Sequence, residues 1–132
     1  MWNVQATPPT PPCPTPAPQR VLIVEDDAAT RTAMRRLLEH HAFRVTAAGT
    51  VAEAMGHLHD PFDAVLVDLM LPDGHGGDIV RWARDHAPAT RVLVLTGCND
   101  PAVLQSVTAA GPCRLMHKPI AFADVLAQLK SA

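Results

Sequence analysis

Val65-Leu66-Val67-Asp68-Leu69-Met70-Leu71-Pro72-Asp73-Gly74 is the stretch whose reading decides the fold. Three apolar residues, two of them β-branched, run into one acid, and a Pro-Asp-Gly turn follows. An unbroken apolar run of this length, closed by a turn signal, is a strand buried on both faces, as in a parallel sheet covered by helices. An ionised carboxylate at its end is costly unless it is paired, metal-bound or facing water. The carboxyl end of a central strand is also where open α/β sheets bind ligands. Asp68 is therefore either an idle strand-end acid or a reactive centre, and the flanking sequence has to decide.

Toward the N-terminus, Val21-Leu22-Ile23-Val24 is a second buried run, ending in Glu25-Asp26-Asp27. Asp27 can cap a helix whose apolar stripe is Met34, Leu37 and Leu38. Arg44 to Ala48 reads as a shorter strand, and Thr50-Val51-Ala52-Glu53 fits a capping box. The helix it opens buries Val51, Ala54, Met55 and Leu58, and Pro61 ends the unit. Beyond the Asp68 strand, a helix is expected from about Asp78 to His86, with Ile79, Val80 and Ala83 inward and Trp82 at the rim. Arg91 to Leu95 is another buried strand, ending in Thr96-Gly97. Asp100-Pro101 opens a fourth helix, Pro being tolerated at the first helical position, and Gly111-Pro112 stops it. A strand from Cys113 to His117 ends in Lys118-Pro119, and a last helix turns Phe122, Val125, Leu126 and Leu129 inward. Five strands alternating with five helices predict an α/β fold: a doubly wound, five-stranded parallel sheet with right-handed crossovers.

The remaining composition bounds the function. A chain of 132 residues is long enough for one domain with a full core. Residues 1–19 form a Pro-rich tail, expected to be disordered and to act as a spacer, leaving 20–132 for the fold. Eleven basic against thirteen acidic residues give a formal charge of −2 with no basic patch, which argues against a nucleic-acid partner. There is no signal-peptide pattern and no apolar run long enough to cross a bilayer, so a cytoplasmic protein without a membrane partner is expected. Cys13, Cys98 and Cys113 make no C-x-x-C pair and read as reduced thiols. His40-His41 and His57-x-His59 lack a second ligand set at zinc-like spacing and read as surface histidines.

What stands at the strand ends is more specific. The first offers Glu25 and Asp26, the third Asp68, the fourth Thr96 and the fifth Lys118. Three carboxylates brought within a few ångströms repel by several kcal/mol per pair at an effective dielectric of about 20. A divalent cation relieves that repulsion, and hard oxygen ligands with an open shell suit Mg²⁺ with a phosphate group. Lys118 by charge and Thr96 by its hydroxyl can hold phosphoryl oxygens. A carboxylate can then serve as nucleophile and become an acyl phosphate.

With these residues in place, the stretch from about Arg20 to Lys130 resembles the receiver domains of two-component response regulators, which share a flavodoxin-like receiver fold. The match is carried by Val24-Glu25-Asp26-Asp27, Val67 to Gly74, Leu95-Thr96-Gly97 and Lys118-Pro119. The resemblance implies that Asp68 is the phosphoacceptor, charged by a sensor histidine kinase or a histidine phosphotransfer protein. It implies that Asp26, Asp68 and the backbone carbonyl of Met70 coordinate Mg²⁺, with Glu25 acting mainly through a water. It places Thr96 and Lys118 in the switch-hydroxyl and lysine positions and makes the Lys118–Pro119 bond cis. It implies a signalling protein of the stand-alone type, not an enzyme, whose output is a contact with a downstream protein. The expected contact face is the fourth helix, last strand and last helix, with Gln105 and Gln128 exposed on it. The first helix, with Arg31, Arg35 and Arg36, is the other candidate. Leu115 departs from the family, which usually carries Tyr or Phe at this switch position.

Two other readings fit less well. An aspartyl phosphatase of the haloacid-dehalogenase kind wants a second acid two residues after the nucleophile, where this chain has Met70. A receiver-like binding module without phosphorylation does not need the complete acid–Thr–Lys set. Gly74-His75-Gly76-Gly77 is neither a dinucleotide fingerprint nor a P-loop.

Overall fold

In the computed structural model, which describes residues 19–97, 100–111 and 113–130, the two apolar runs become neighbouring strands, β1 (Arg20–Val24) and β3 (Ala64–Asp68). Helix α1 (Ala28–His40), β2 (Arg44–Ala48) and α2 (Val51–His57) lie between them in the chain. After β3 come a small hairpin of β4 (Met70–Leu71) and β5 (Gly74–His75), then α3 (Gly76–His86) and β6 (Arg91–Thr96). Helix α4 (Pro101–Ala110), β7 (Arg114–His117) and α5 (Phe122–Lys130) complete the described chain. The main sheet is parallel throughout, in the order β2-β1-β3-β6-β7. All five residues of β3 are buried, whereas the edge strands β2 and β7 are mostly half-exposed. The Pro-rich tail expected at the N-terminus lies, apart from Gln19, outside the described residues.

Strand alternation explains why the runs are apolar without a break. Leu22, Val24, Val65, Val67, Val92 and Val94 face one layer, with Ala54 of α2, Ile79, Val80 and Ala83 of α3 and Val107 of α4. Val21, Ile23, Ala64, Leu66 and Leu93 face the other, with Leu38 of α1 and Val125 and Leu129 of α5. Both sides of each central strand are covered, so neither can be polar. The winding also sets the site. From β1 the chain leaves through α1 on one face, and from β3 it leaves through α3 on the other. A crevice therefore opens beyond the carboxyl ends of β1 and β3, where the winding reverses.

The helix starts are as the sequence suggests, with differences of detail. Asp27 caps α1 through Thr30 N at 2.9 Å, Thr50 caps α2 through Glu53 N at 3.1 Å, and Asp100 caps α4 through Ala102 N at 3.0 Å. The expected capping box is incomplete, because the Glu53 carboxylate reaches Gly49 N (3.4 Å). Helix α3 begins at Gly76, two residues earlier than expected, because His75 caps it by accepting from Gly77 N at 3.0 Å. Leu58 is buried but is the C-cap of α2, and β7 starts at Arg114. Leu37, expected on the inward stripe of α1, is 43% exposed, whereas Leu38 is buried in the core and Met34 packs against it. Gln128 is half-buried where exposure was expected, and its carbonyl accepts from Arg91 Nη1 at 2.8 Å; Gln105 is exposed. No helix among the described residues is long and apolar enough to cross a membrane.

Candidate functional site

The crevice collects the strand-end residues. Glu25 follows the last residue of β1 and is buried, Asp68 ends β3 at 9% exposure, and Asp26 is exposed at the mouth. Carboxylate oxygens of all three lie within 4.8 Å of one another. Lys118 Nζ reaches in from beyond β7, 2.9 Å from Asp68 Oδ2 and 3.9 Å from Glu25 Oε2. Thr96, 1% exposed, ends β6; its carbonyl accepts from Lys118 N at 2.7 Å, which joins the hydroxyl-bearing strand to the lysine. The Lys118–Pro119 peptide is cis.

The electrostatics are those of a crowded acidic site with one cation. Burial pushes the Glu25 carboxyl up to about 7; a hydrogen bond with Asp68 and the charge on Asp68 add to this, and Lys118 only partly offsets it. Burial pulls the Lys118 ammonium down, but its hydrogen bond to Asp68 and the charges of Asp68, Glu25 and Asp26 outweigh that and raise it. Three carboxylates, one of them open to solvent, are a hard-oxygen donor set that fits a divalent cation of the Mg²⁺ kind.

The chain around Asp68 is held tightly. Met70 N donates to Asp68 Oδ1 at 3.3 Å. Gly76 N donates to Leu69 O at 2.7 Å, and Leu69 N donates to Leu95 O at 3.1 Å, on β6. Gly76 must be glycine, since a Cβ there would meet the Asp68 carbonyl oxygen at 2.7 Å. Asp73 crosses to α2, accepting from Val51 N at 2.8 Å and Ala52 N at 3.0 Å. Arg31 Nη1 donates to the carbonyls of Glu25 (2.7 Å) and Asp26 (3.4 Å). Sequence reasoning did not find the Asp73 and Arg31 contacts. Asp73 sits in an ordinary turn tripeptide, and Arg31 on a helix with other basic residues.

Leu115 lies away from the acids. It pairs with Val94 in the sheet and packs, half-buried, against the cluster that Val103 and Leu104 of α4 also join. A groove of about 560 Å³ opens at the opposite end of β6 and β7 between Arg84, Arg91 and Arg114. There Arg84 donates to the carbonyls of Pro88 and Thr90, and Arg91 to those of Gln128 and Leu129. These two guanidiniums tie down loop and helix ends, which gives that groove a structural role.

Comparison with known proteins agrees with this geometry. The family model described as "Response regulator receiver domain" matches residues 21–130. The acid tolerance regulatory protein ActR of Rhizobium meliloti (strain 1021) is 36% identical over 111 residues, which cover 83% of this chain and 57% of ActR. The chain thus spans about half the length of the curated relatives it matches. Among solved structures, a response regulator receiver domain protein (CheY-like) from Methanospirillum hungatei JF-1 superposes with a TM-score of 0.81 at 27% identity, over 86% of this chain and 91% of that one. A response regulator protein from Burkholderia pseudomallei, solved with a phosphorylated aspartic acid, calcium ion and citrate, gives 0.78 at 26% identity, over 86% and 67% of the two chains.

Proposed function

Because the chain belongs to the response regulator receiver domain family, we propose that Asp68 accepts a phosphoryl group in a Mg²⁺-dependent reaction and that the phosphorylated chain signals through protein contacts. The observation that carries this reading is the Asp68 carboxylate, held at 2.9 Å by Lys118 inside a cluster of carboxylate oxygens at a strand end. Asp68 and Asp26, with the Met70 carbonyl and with Glu25 through a water, would hold the cation. When bound, the cation neutralises developing charge on the phosphoryl oxygens.

Asp68 is the nucleophile. One of its oxygens forms a bond to phosphorus as the bond from phosphorus to the donor's imidazole nitrogen breaks, and the electron pair leaves with that nitrogen. Lys118, already on Asp68 Oδ2, moves its contact to a phosphoryl oxygen, and the Thr96 hydroxyl binds another. The donor is a histidine kinase or a histidine phosphotransfer protein, both acting in the cytoplasm. The chemistry is confined to the chain's own Asp68. The readout face is α4, β7 and α5, where Gln105 is exposed. At Leu115 an aliphatic side chain, packed against the same core cluster as Val103 and Leu104, takes the place of the usual ring, so the change on this face is a repacking within that cluster. Nothing in this reading calls on a nucleic-acid or membrane surface of the described fold.

Incubation with acetyl phosphate and Mg²⁺, followed by intact-protein mass measurement, tests the reading. Wild type should gain one phosphoryl group, and Asp68→Asn and metal-free wild type should gain none. Modification that persists in Asp68→Asn would overturn the assignment.

A further inference from the structure

We propose that Arg31 is a positioning residue for the cation-binding acids, acting from α1 through the main chain of the loop that carries them. The inference rests on the phosphoacceptor reading and adds a residue outside the acid–hydroxyl–lysine set. Glu25 and Asp26 lie between the last residue of β1 and the cap of α1, where the sheet ladder ends. Two anchors hold this loop. Glu25 N donates to Ala48 O at 3.0 Å, on the side of β2. Arg31 Nη1 donates to Glu25 O at 2.7 Å and lies 3.4 Å from Asp26 O, so one guanidinium nitrogen bridges the carbonyls of both residues. A charged donor on a carbonyl is a strong hydrogen bond, and groups that orient metal ligands set metal affinity as the ligands themselves do.

The Arg31 guanidinium lies against Gly49. A Cβ on Gly49, the residue that follows β2, would stand 3.0 Å from Arg31 Nη1, with Glu53 Oε1 at 3.5 Å. The guanidinium therefore fills the space that a side chain at position 49 would need. Gly49 does not have a left-handed backbone, so its lack of a side chain answers to this packing and not to backbone strain.

Positioning and plain charge predict opposite signs. Arg31 is a cation close to a cation site, and a purely electrostatic role would make its removal tighten metal binding. A positioning role makes removal weaken it. Mg²⁺ binding by calorimetry and Mn²⁺ binding by electron paramagnetic resonance, on the 132-residue chain verified as folded by circular dichroism, separate the two. Arg31→Gln should bind either metal about 10-fold more weakly. Arg31→Lys, which keeps the charge and can reach one carbonyl, should recover part of the loss. Gly49→Val, which displaces the guanidinium and changes no charge, should reproduce it. At saturating Mg²⁺ the acetyl phosphate reaction of Arg31→Gln should return to near the wild-type rate, since Asp68 and Lys118 are untouched. Unchanged or tighter metal binding by Arg31→Gln would overturn the inference while leaving the phosphoacceptor reading intact. A wild type that neither binds metal nor takes up a phosphoryl group would instead overturn that reading and this inference with it.

Discussion

Asp68 is held in place by atoms that a single substitution can move. Its carbonyl lies under Gly76, so Gly76→Ala pushes a methyl group against main-chain atoms of Asp68 and Leu69, at 2.7 and 3.1 Å. Backbone cannot step aside as a side-chain tip can. The variant should lose about 1–3 kcal/mol of stability in urea unfolding and react more slowly with acetyl phosphate; wild-type behaviour in both would show that this close approach is unimportant. Lys118 presents the opposite case, a cation occupying part of the space that a metal would neutralise. Lys118→Met leaves Asp68 and Glu25 without their ammonium partner. The expected result is several-fold tighter Mg²⁺ binding by calorimetry with slower phosphorylation, because the metal loses a competitor and the phosphoryl group loses a donor. Weaker Mg²⁺ binding would mean that Lys118 chiefly organises the acids.

At the level of elements, the loop after β3 is tied to a helix that follows a different strand. Asp73 takes the first two free N–H groups of α2 and Thr50 takes the third, so this seven-residue helix has its start secured from two directions. The hydrogen bonds from Val51 and Ala52 hold the Asp73 carboxyl below the usual carboxylate range. A carboxyl lowered in the folded state stabilises above its unfolded value, near 3.8, and loses that contribution as pH falls through the folded value. Asp73→Asn should therefore lower the thermal midpoint at neutral pH, and the gap to wild type should close below about pH 3.8. A gap that persists in acid would assign the loss to something other than the ionised cap. The same contact explains how the hairpin β4–β5, only two residues per strand, keeps a fixed place beside the acids.

For the molecule as a whole, stability lies in the two apolar layers, and the acids and Lys118 gather at the sheet edge between them. Leu66, fully buried in the centre of β3, should cost about 2–5 kcal/mol when changed to alanine. Leu37→Ala, at 43% exposure, should stay within about 0.5 kcal/mol of wild type in the same urea titration. Equal losses would contradict the layer assignment. Most of this architecture was legible in the sequence. Unbroken apolar runs at 21–24, 65–67 and 92–95 admit only doubly covered strands, and the acids, threonine and lysine closing them mark one edge of a sheet. Stripes on helices are less decisive, and Leu37 shows why: adjacent leucines on a helix point about 100° apart, so which one meets the sheet depends on how the helix docks. The early start of α3 was hidden because histidine is not a usual cap, and its ring accepts from Gly77 only in this local geometry. Residue order determined the strands, their sequence and the chemistry at their ends, since these follow from local pattern and spacing. The tertiary structure alone decided that β3 lies beside β1 and that Asp73 caps α2. Those contacts join elements brought together by the reversal in winding, and no periodicity along the chain encodes them.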